Sequence, residues 1–217
     1  MAATGGVGSQ LLRQAMRAGH EVTVVVRDPR RLPDLPVRVV VQDLSVPDQA
    51  GLVSSLDGAD AVLSGLGARS GAQAGVVSRG TRALVQAMGT TGVGRIVVVS
   101  AASVGTVPSP GRPDPPRHNP GDGLFMRHLA APLAKAAFRR HYVDLALMED
   151  ILRDSDREWT VIRPPRLLNG RLTRKYRTAC ERNVRAGMFI SRADLAHYML
   201  DVLDRRETVG RTIGIAY

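Results

Sequence analysis

Short apolar runs alternate along this chain with stretches whose apolar residues recur at helical spacing. The apolar runs are rich in valine and isoleucine, as strands buried on both faces are. They predict strands at Glu21–Arg27, Val37–Gln42, Ala61–Ser64, Arg95–Ser100 and Trp159–Arg163. The other stretches predict helices at Gly8–Ala18, Pro47–Leu56, Ala74–Met88, Tyr142–Asp154 and Arg192–Leu203. This alternation predicts an α/β fold, a doubly wound parallel sheet covered by helices on both faces.

Length and cysteine usage indicate one domain without disulfide bonds. A chain of 217 residues fits a single α/β domain, and we expect residues 1–217 to form it. The single Cys180 excludes an internal disulfide and favours a reducing, cytoplasmic compartment. No apolar run reaches the roughly 18 residues of a membrane-spanning helix, so we expect no membrane association.

One segment interrupts the alternation of strands and helices. Residues 107–123 contain six prolines and three glycines, which predicts a loop inserted into the domain. The loop follows the strand Arg95–Ser100, at the sheet edge where open α/β folds bind their ligands. It is either a lid over a substrate pocket or a tolerated surface insertion, and the sequence leaves both open.

The charge balance is strongly basic. Thirty lysines and arginines oppose 20 acidic residues, and all but Lys135 and Lys175 of the basic residues are arginines. The arginines are scattered, with no basic run and no interleaved aromatic residues, so we interpret them as a solvated surface. A nucleic-acid partner remains the less favoured alternative. We expect a small molecule as the main partner.

A glycine-rich turn at the start of the chain is the first candidate binding element. Residues 1–8, MAATGGVG, lead directly into an amphipathic helix, and such a turn directs backbone N–H groups at a phosphate. Gly5 lets the backbone approach a pyrophosphate, and Gly8 lets the helix pack closely. At the end of the next strand, 22 residues after Gly5, stands Arg27 where NAD-binding proteins carry an acidic residue. A guanidinium there favours the 2′-phosphate of NADP.

A dinucleotide-binding fold also needs a strand before the glycine turn, and this sequence shows none. Met1 stands where the last residues of that strand belong. The strand would be central in a doubly wound sheet, so two neighbouring strands would lose a hydrogen-bonding partner. We therefore hypothesise that translation starts about six or seven codons upstream, which is the length of a typical strand.

Several segments in order resemble the atypical short-chain dehydrogenase/reductase superfamily. They are ATGGVG, GHEVTVVVRDPRRLP, LDGADAVLSGLG, RIVVVSAASVG, WTVIRPPRL and ISRADLAHYML. The closest branch is the NmrA-like, NAD(P)-binding group that includes the flavin reductase biliverdin reductase B. The likeness covers nearly the whole chain apart from the proline-rich loop, and it implies a Rossmann-like fold.

Carried over position by position, the resemblance implies a cofactor site at the ends of successive strands. The implied pyrophosphate contacts are Thr4, Gly5, Gly6, Val7 and Gly8, and the implied 2′-phosphate contacts are Arg27 and Arg31. The implied adenine-side and ribose-side residues are Asp43, Leu44, Gly65, Leu66 and Gly67. The implied neighbours of the nicotinamide are Ser100, Ala101, Pro164 and Pro165.

The residues at the positions expected to carry out catalysis differ from those of the family. The Tyr-x-x-x-Lys pair of ordinary short-chain dehydrogenases is not found, because Tyr142 is followed four residues on by Ala146. Candidate catalytic residues are Ser100, Tyr142 and Arg166, of which Ser100 has the strongest claim as a proton donor at the end of a central strand. Ser100 could equally cap that strand or bond the cofactor, and Tyr142 could be a core aromatic. The histidines show no metal-ligand spacing.

These observations predict an oxidoreductase that uses NADPH. The expected reaction transfers hydride to a small conjugated acceptor such as a flavin or quinone, which asks little of protein side chains. Two alternatives stay open. One is a non-catalytic NADP-binding regulator of the NmrA-like type, and the other is a biosynthetic isomerase or cyclase on the same fold.

Overall fold

The structure is a computed structural model that describes residues 1–67, 75–123, 133 and 138–217. Its helices are α1 (Gly6–Arg17), α2 (Gln49–Leu56), α3 (Val76–Thr91), α4 (Arg139–Arg153) and α5 (Arg192–Asp201). Its strands are β1 (Thr23–Val26), β2 (Arg38–Val41), β3 (Ala61–Ser64), β4 (Arg95–Val99), β5 (Glu158–Arg163), β6 (Arg166–Leu168), β7 (Arg177–Cys180), β8 (Phe189–Ser191) and β9 (Arg211–Ala216). All five predicted strands and five predicted helices are present, although Ala74, where one helix was expected to begin, lies outside the described residues.

The strands form mainly parallel sheets, which confirms the predicted fold class. The largest has the order β3-β4-β5-β9-β7, and only the β7–β9 pair is antiparallel. β1 pairs with β2 in parallel, and β6 pairs with β8 in the same way. The short strands β6 to β8 and the final strand β9 have no counterpart among the predicted elements.

Helices cover the sheet on both faces, so the strands are buried between two apolar layers. One layer contains Leu52 of α2, Leu84 and Met88 of α3, and Leu152 of α4, all with no exposed surface. Leu11 of α1 belongs to the other layer, which is completed by residues of α5 such as Leu195 and Met199. The predicted arrangement of helices on two faces is thereby confirmed.

One sequence-based expectation about burial is wrong. The strand predicted at Val37–Gln42 was expected to be buried on both faces, but Val39 is 41% exposed and Val41 is 58% exposed. β2 is an edge strand whose only neighbour in the sheet, among the described residues, is β1. Apolar composition cannot separate such a partly covered edge strand from a central one.

The chain begins inside the sheet. The Met1 amine donates to the carbonyl oxygen of Leu63 in β3 at 2.7 Å, and the Ala2 N–H donates to Val25 of β1 at 3.2 Å. Residues 1–5 contain no strand, as predicted. Across the described residues, no helix combines the length and apolar character needed to cross a membrane.

Candidate functional site

The glycine-rich turn leads into α1, whose N-terminus has no side-chain cap. The Gly5 N–H closes the turn on the Ala2 carbonyl at 2.9 Å, and α1 begins at Gly6. No side chain caps this helix end, and its first turn carries no acidic residue. The N–H groups of the first helical turn have no intrahelical acceptor, so they and the positive end of the helix dipole are directed at whatever binds there.

Close contacts explain why glycine stands at positions 8 and 65. A Cβ atom on Gly8 would overlap the carbonyl oxygen of Ala2, so only glycine lets α1 approach the turn this closely. A Cβ atom on Gly65 would lie 3.3 Å from the Gly8 nitrogen. The turn after β3 therefore packs directly against the first turn of α1, and two predicted parts of the cofactor site meet.

A second glycine contact joins the predicted adenine-side and ribose-side residues. Leu44 follows β2, and Leu66 follows β3, yet both side chains pack on Gly80 of α3. A Cβ atom there would lie 2.9 Å from Leu66 Cδ2 and 3.2 Å from Leu44 Cβ. These two leucines thus pack together on α3 and form one apolar surface, although they lie 22 positions apart in the sequence.

Three exposed arginines, Arg27, Arg30 and Arg31, follow β1. Arg30 is held by Asp28, which accepts from its Nε at 3.0 Å and whose pKa is lowered by that hydrogen bond. Among the described residues, no hydrogen bond or salt bridge engages the guanidinium of Arg27 or of Arg31. Both remain able to meet an anion.

Asp43 lies next to Arg27 across the β1–β2 pair. The Gln42 N–H donates to Val26 at 2.8 Å, which extends the ladder by one residue and places Asp43 beside the end of β1. A backbone hydrogen bond from Ser45 lowers the pKa of Asp43, and the charge of Arg27 lowers it further. The predicted adenine-side and phosphate-side residues are therefore neighbours.

Sequence reasoning missed Arg192. Its side chain crosses the start of α1, where a Cβ atom on Gly6 would lie 2.6 Å from the Arg192 Nε. The Arg192 Nη1 donates to Asn169 Oδ1 at 2.8 Å, which holds the guanidinium in place. The available signal was an arginine at the first position of a predicted helix, which fixes neither its direction nor its neighbour.

The predicted nicotinamide-side residues converge where β4 and β5 end. The Ser100 N–H donates to Ile162 at 2.8 Å, and the Ala102 N–H donates to Pro164 at 2.9 Å. These two bonds continue the β4–β5 ladder beyond the strands and set Ala101 beside the turn of Pro164 and Pro165. The structure thus brings together two pairs of residues, Ser100–Ala101 and Pro164–Pro165, that lie more than 60 positions apart in the sequence.

The Ser100 hydroxyl belongs to a buried charged cluster. It donates to Glu149 Oε1 at 2.7 Å, and Glu149 has no exposed surface. Arg163 bonds both oxygens of this carboxylate, and Arg153 Nη2 donates to Oε2 at 2.6 Å. Burial opposes ionisation of Glu149, but the charge and hydrogen bonds of Arg163, with Ser100 and Arg153, outweigh it and lower its pKa.

The other two candidate catalytic residues have different surroundings. Tyr142 lies in the first turn of α4 and packs against the core, and burial raises its pKa while a hydrogen bond with Ser103 partly offsets the rise. Arg166 is exposed at the start of β6. Ser100, Tyr142 and Arg166 thus have separate surroundings, and among the described residues no hydrogen bond joins any two of them.

The proline-rich loop is fixed to the rest of the domain by polar contacts. The Gly111 N–H donates to Asp150 of α4 at 3.0 Å, and the Asn183 N–H donates to Pro120 at 2.9 Å. The loop borders a cavity of about 450 Å³ lined by several arginines, among them Arg112 and Arg163. Residues 107–123 form turns and one isolated bridge between Ser109 and Arg112, and both the loop insertion and its role as a lid stay predictions.

Comparison with solved structures shows which proteins share this fold. An anaerobillin reductase from Escherichia coli O157:H7 aligns at 22% identity with a TM-score of 0.73, covering 98% of this chain and 94% of that chain. A short-chain dehydrogenase/reductase from Veillonella parvula, solved with NADP, aligns at 16% identity with a TM-score of 0.76, covering 99% and 91%. A putative exported protein from Burkholderia pseudomallei aligns at 27% identity with a TM-score of 0.69, covering 100% and 97%.

The sequence itself gives the family. Residues 2–206 match the family described as NAD(P)H-binding, a span that contains every cofactor contact inferred above. This match confirms the predicted NAD(P)-binding family, and the solved structures, some of them short-chain dehydrogenases/reductases, share its fold. The chain therefore belongs to the NAD(P)H-binding family.

Proposed function

We propose that this protein is an NADPH-dependent reductase of small conjugated acceptors such as flavins or quinones. The observation that supports the cofactor preference is the exposed guanidinium of Arg27 at the end of β1, which no hydrogen bond or salt bridge engages among the described residues. An acidic residue there would bind the ribose hydroxyls of NAD and repel a phosphate, whereas a guanidinium pairs with the 2′-phosphate of NADP. Arg31, four residues further along the chain, adds a second positive charge, while Arg30 is neutralised by Asp28.

The residues fit a dinucleotide along its whole length. The open N–H groups of α1 and the Arg192 guanidinium above Gly6 would hold the diphosphate, and Thr4, Gly5 and Val7 would line its approach. Leu44 and Leu66 would support the adenosine. The Ala101 and Pro164–Pro165 segments would orient the nicotinamide. When bound, the cofactor supplies the hydride, and the protein contributes orientation and a site poor in water.

The hydrogen bonds around Ser100 favour an acceptor that needs no acid from the protein. Its hydroxyl donates to a carboxylate kept ionised by two arginines, so its proton is already engaged. The Tyr142 hydroxyl has a raised pKa and its own partner, Ser103, which makes it a weak acid. Flavins and quinones accept hydride on a conjugated system and can take their proton from water, so they match this arrangement.

Replacement of Arg27 tests the cofactor assignment. Arg27→Ala should weaken NADPH binding by about 10- to 100-fold, since a charge-assisted contact is lost, and leave NADH binding nearly unchanged. Arg17→Ala is the matched control, because Arg17 is exposed at the opposite end of α1. Calorimetric titration of each variant with both dinucleotides measures the effect. Equal losses for NADPH and NADH would refute the assigned role of Arg27.

Turnover separates a reductase from a binding protein. Oxidation of NADPH, followed at 340 nm with flavin mononucleotide and a panel of quinones, should show catalysis with at least one acceptor class. Tight binding of NADP⁺ and NADPH without any turnover would instead support the non-catalytic regulator. Conversion of a substrate without net oxidation of NADPH would support an isomerase or cyclase.

A further inference from the structure

The proline-rich loop borders a cavity that the proposed function does not use. The cavity of about 450 Å³ lies between this loop, the C-terminal end of α4 and the strands β5 and β9. Its lining contains one carboxylate, Glu181, and five arginines, which are Arg112, Arg153, Arg163, Arg182 and Arg211. Among the described residues, none of those assigned above to the dinucleotide and none of the candidate catalytic residues lines it. A ligand in this cavity would therefore be separate from the cofactor.

Close packing at both ends holds the loop against the rest of the domain. Two backbone hydrogen bonds of 3.1 and 2.9 Å close a tight turn over residues 109–112. At the tip of this turn, a Cβ atom on Gly111 would lie 2.8 Å from the carboxylate carbon of Asp150, so the turn is pressed onto α4. Near the other end, a Cβ atom on Gly121 would overlap the Asn183 carbonyl oxygen. The loop side of the cavity is therefore fixed by the fold itself.

Arg112 is a half-buried cation with an unsatisfied donor. Its Nη2 donates to the Val104 carbonyl at 3.1 Å, but its Nε is buried and has no acceptor among the described residues. Val104 also accepts the Val107 N–H at 2.9 Å, so this carbonyl has a partner without Arg112. A buried donor on a charged group is costly to leave unpaired, and in folded proteins it usually meets an ion or a water molecule.

The charges around Arg112 favour an anion beside it. Burial lowers the pKa of Arg112, and the positive charges of Arg163 and Arg153 add to this effect, while Glu149 and Asp150 oppose it. Both carboxylates already accept hydrogen bonds from Arg153, and Glu149 also accepts one from Arg163. They are thus engaged by two other cations. An oxyanion in the cavity would reduce the repulsion between the three guanidinium groups and give the Arg112 Nε an acceptor.

The lining indicates the chemical class of the ligand. Guanidinium groups present paired N–H donors that match the oxygens of phosphate and carboxylate groups. Arg182 is exposed at the mouth of the cavity and, among the described residues, has no hydrogen bond or salt bridge from its side chain. The Glu181 Oε1 accepts the Thr212 N–H at 2.9 Å, so the one lining carboxylate is already used within the fold. The volume exceeds that of a single phosphate group and lies in the range of sites for small organic molecules.

We propose that the cavity between the proline-rich loop, α4 and β9 binds a small polyanion that carries phosphate or carboxylate groups, with Arg112 as its main contact. Residues 107–123 then form one side of a ligand site that is distinct from the dinucleotide site. The six prolines of this segment restrict its backbone, so little conformational entropy is lost when the ligand binds.

Calorimetric titration with inorganic pyrophosphate and with citrate tests this proposal, with sodium chloride at equal ionic strength as the blank. We expect a dissociation constant below about 1 mM for at least one of the two probes. Tighter binding of pyrophosphate would identify phosphate groups as the preferred chemistry, and tighter binding of citrate would identify carboxylates. No heat above the blank with either probe would overturn the proposal.

Replacement of Arg112 shows whether the cavity is the place of binding. Arg112→Met should weaken binding of the probe at least about tenfold, because charge-assisted hydrogen bonds are lost. Arg117→Met is the matched control, since Arg117 is exposed in the same loop and does not line the cavity, and it should change binding less than about twofold. Equal losses in the two variants would overturn the proposal, because binding would then follow the general surface charge.

Two further variants keep the test decisive. Arg112→Lys retains the charge but not the paired donors, so it should weaken binding about three- to tenfold even if Arg112→Met does not fold. Arg192→Met removes the guanidinium proposed to hold the cofactor diphosphate and should leave the titration unchanged. Loss of binding in Arg192→Met alone would show that the probe occupies the start of α1 and would refute the assignment to this cavity. No dinucleotide is present in these titrations, so their outcome is independent of the proposed function.

Discussion

The two sides of β3 differ sharply. Towards β4 the strand is fully paired, from Ala61 opposite Arg95 to Ser64 opposite Val98. Towards β1 it accepts a hydrogen bond from the Met1 amine and then borders a cavity of about 820 Å³, and we call this its open side. The proposed diphosphate site lies on the open side, because the glycine turn follows Met1 directly, whereas Ser100 and Glu149 belong to the fully paired side. We therefore expect cofactor binding to respond to changes in the glycine turn, and the acceptor side to be held rigid by its buried charges.

The largest expected effect comes from breaking the charged cluster on the paired side. Glu149→Ala would leave Arg163, whose side chain is 11% exposed, without its carboxylate. The free energy of unfolding should fall by about 3–5 kcal/mol, as for other buried pairs that lose one partner. Urea unfolding measures this. Asp156→Ala is the control, because that carboxylate is 80% exposed and its loss should change little. A loss below about 1 kcal/mol for Glu149→Ala would show that the cluster is dispensable.

A smaller effect should appear on the open side as pH is lowered. The Met1 amine has a pKa of about 6 in the folded chain and near 8.0 when exposed. Between these values the unfolded chain binds a proton that the folded chain does not, so stability falls as pH drops from 8 to 6, by about 2 kcal/mol. Comparison of unfolding curves for the free and the N-terminally acetylated chain isolates this group. Parallel pH profiles for the two forms would contradict the burial of the amine.

Gly8→Ala tests the close packing of the glycine turn against α1. The added Cβ would overlap the Ala2 carbonyl, and such overpacking should lower the free energy of unfolding by about 1–3 kcal/mol. We expect weaker NADPH binding as well, because α1 must move away from the turn. Gly89→Ala in α3 is the control, since a Cβ there meets nothing within 4 Å and should be neutral or slightly stabilising. If both variants bind NADPH equally, the close packing at Gly8 does not shape the site.

The smallest expected effect concerns Ser100. With a flavin or quinone as acceptor, Ser100→Ala should change kcat less than about threefold, because the hydroxyl proton is engaged by Glu149 and is not delivered to the acceptor. Tyr142→Phe should behave in the same way. Steady-state kinetics at saturating NADPH gives the answer. A proton donor would cost about 10²–10⁴-fold when removed, so a loss of that size would assign the acid role to Ser100 after all.

The central fold was predictable because its signals are local. The valine-rich strands and the glycines that end α1 and α3 are readable from composition and spacing, and Gly19 and Gly92 indeed adopt positive φ values of 83° and 77°. The strands after β5 gave no such signal. β7 has mostly exposed residues and exists because it pairs with β9, more than 30 residues away, and such pairing leaves little trace in a short sequence window.

For the candidate site too, the residues close together in sequence were predictable and the distant ones were not. The positions of Gly5, Gly8 and Arg27 follow from a turn, a helix and a strand that are contiguous in sequence, so the motif alone located them. Arg192 and Glu149 reach the site from distant helices, and no spacing rule connects them to it. Glu149 accepts hydrogen bonds from Ser100, Arg153 and Arg163, which come from three different parts of the sequence.

The most direct measurement of the central claim is a calorimetric titration of the protein with NADP⁺ and with NAD⁺. The account predicts that NADP⁺ binds at least about tenfold more tightly than NAD⁺, and that Arg27→Ala abolishes this preference. Equal affinity for the two dinucleotides, or no heat with either of them, would contradict it.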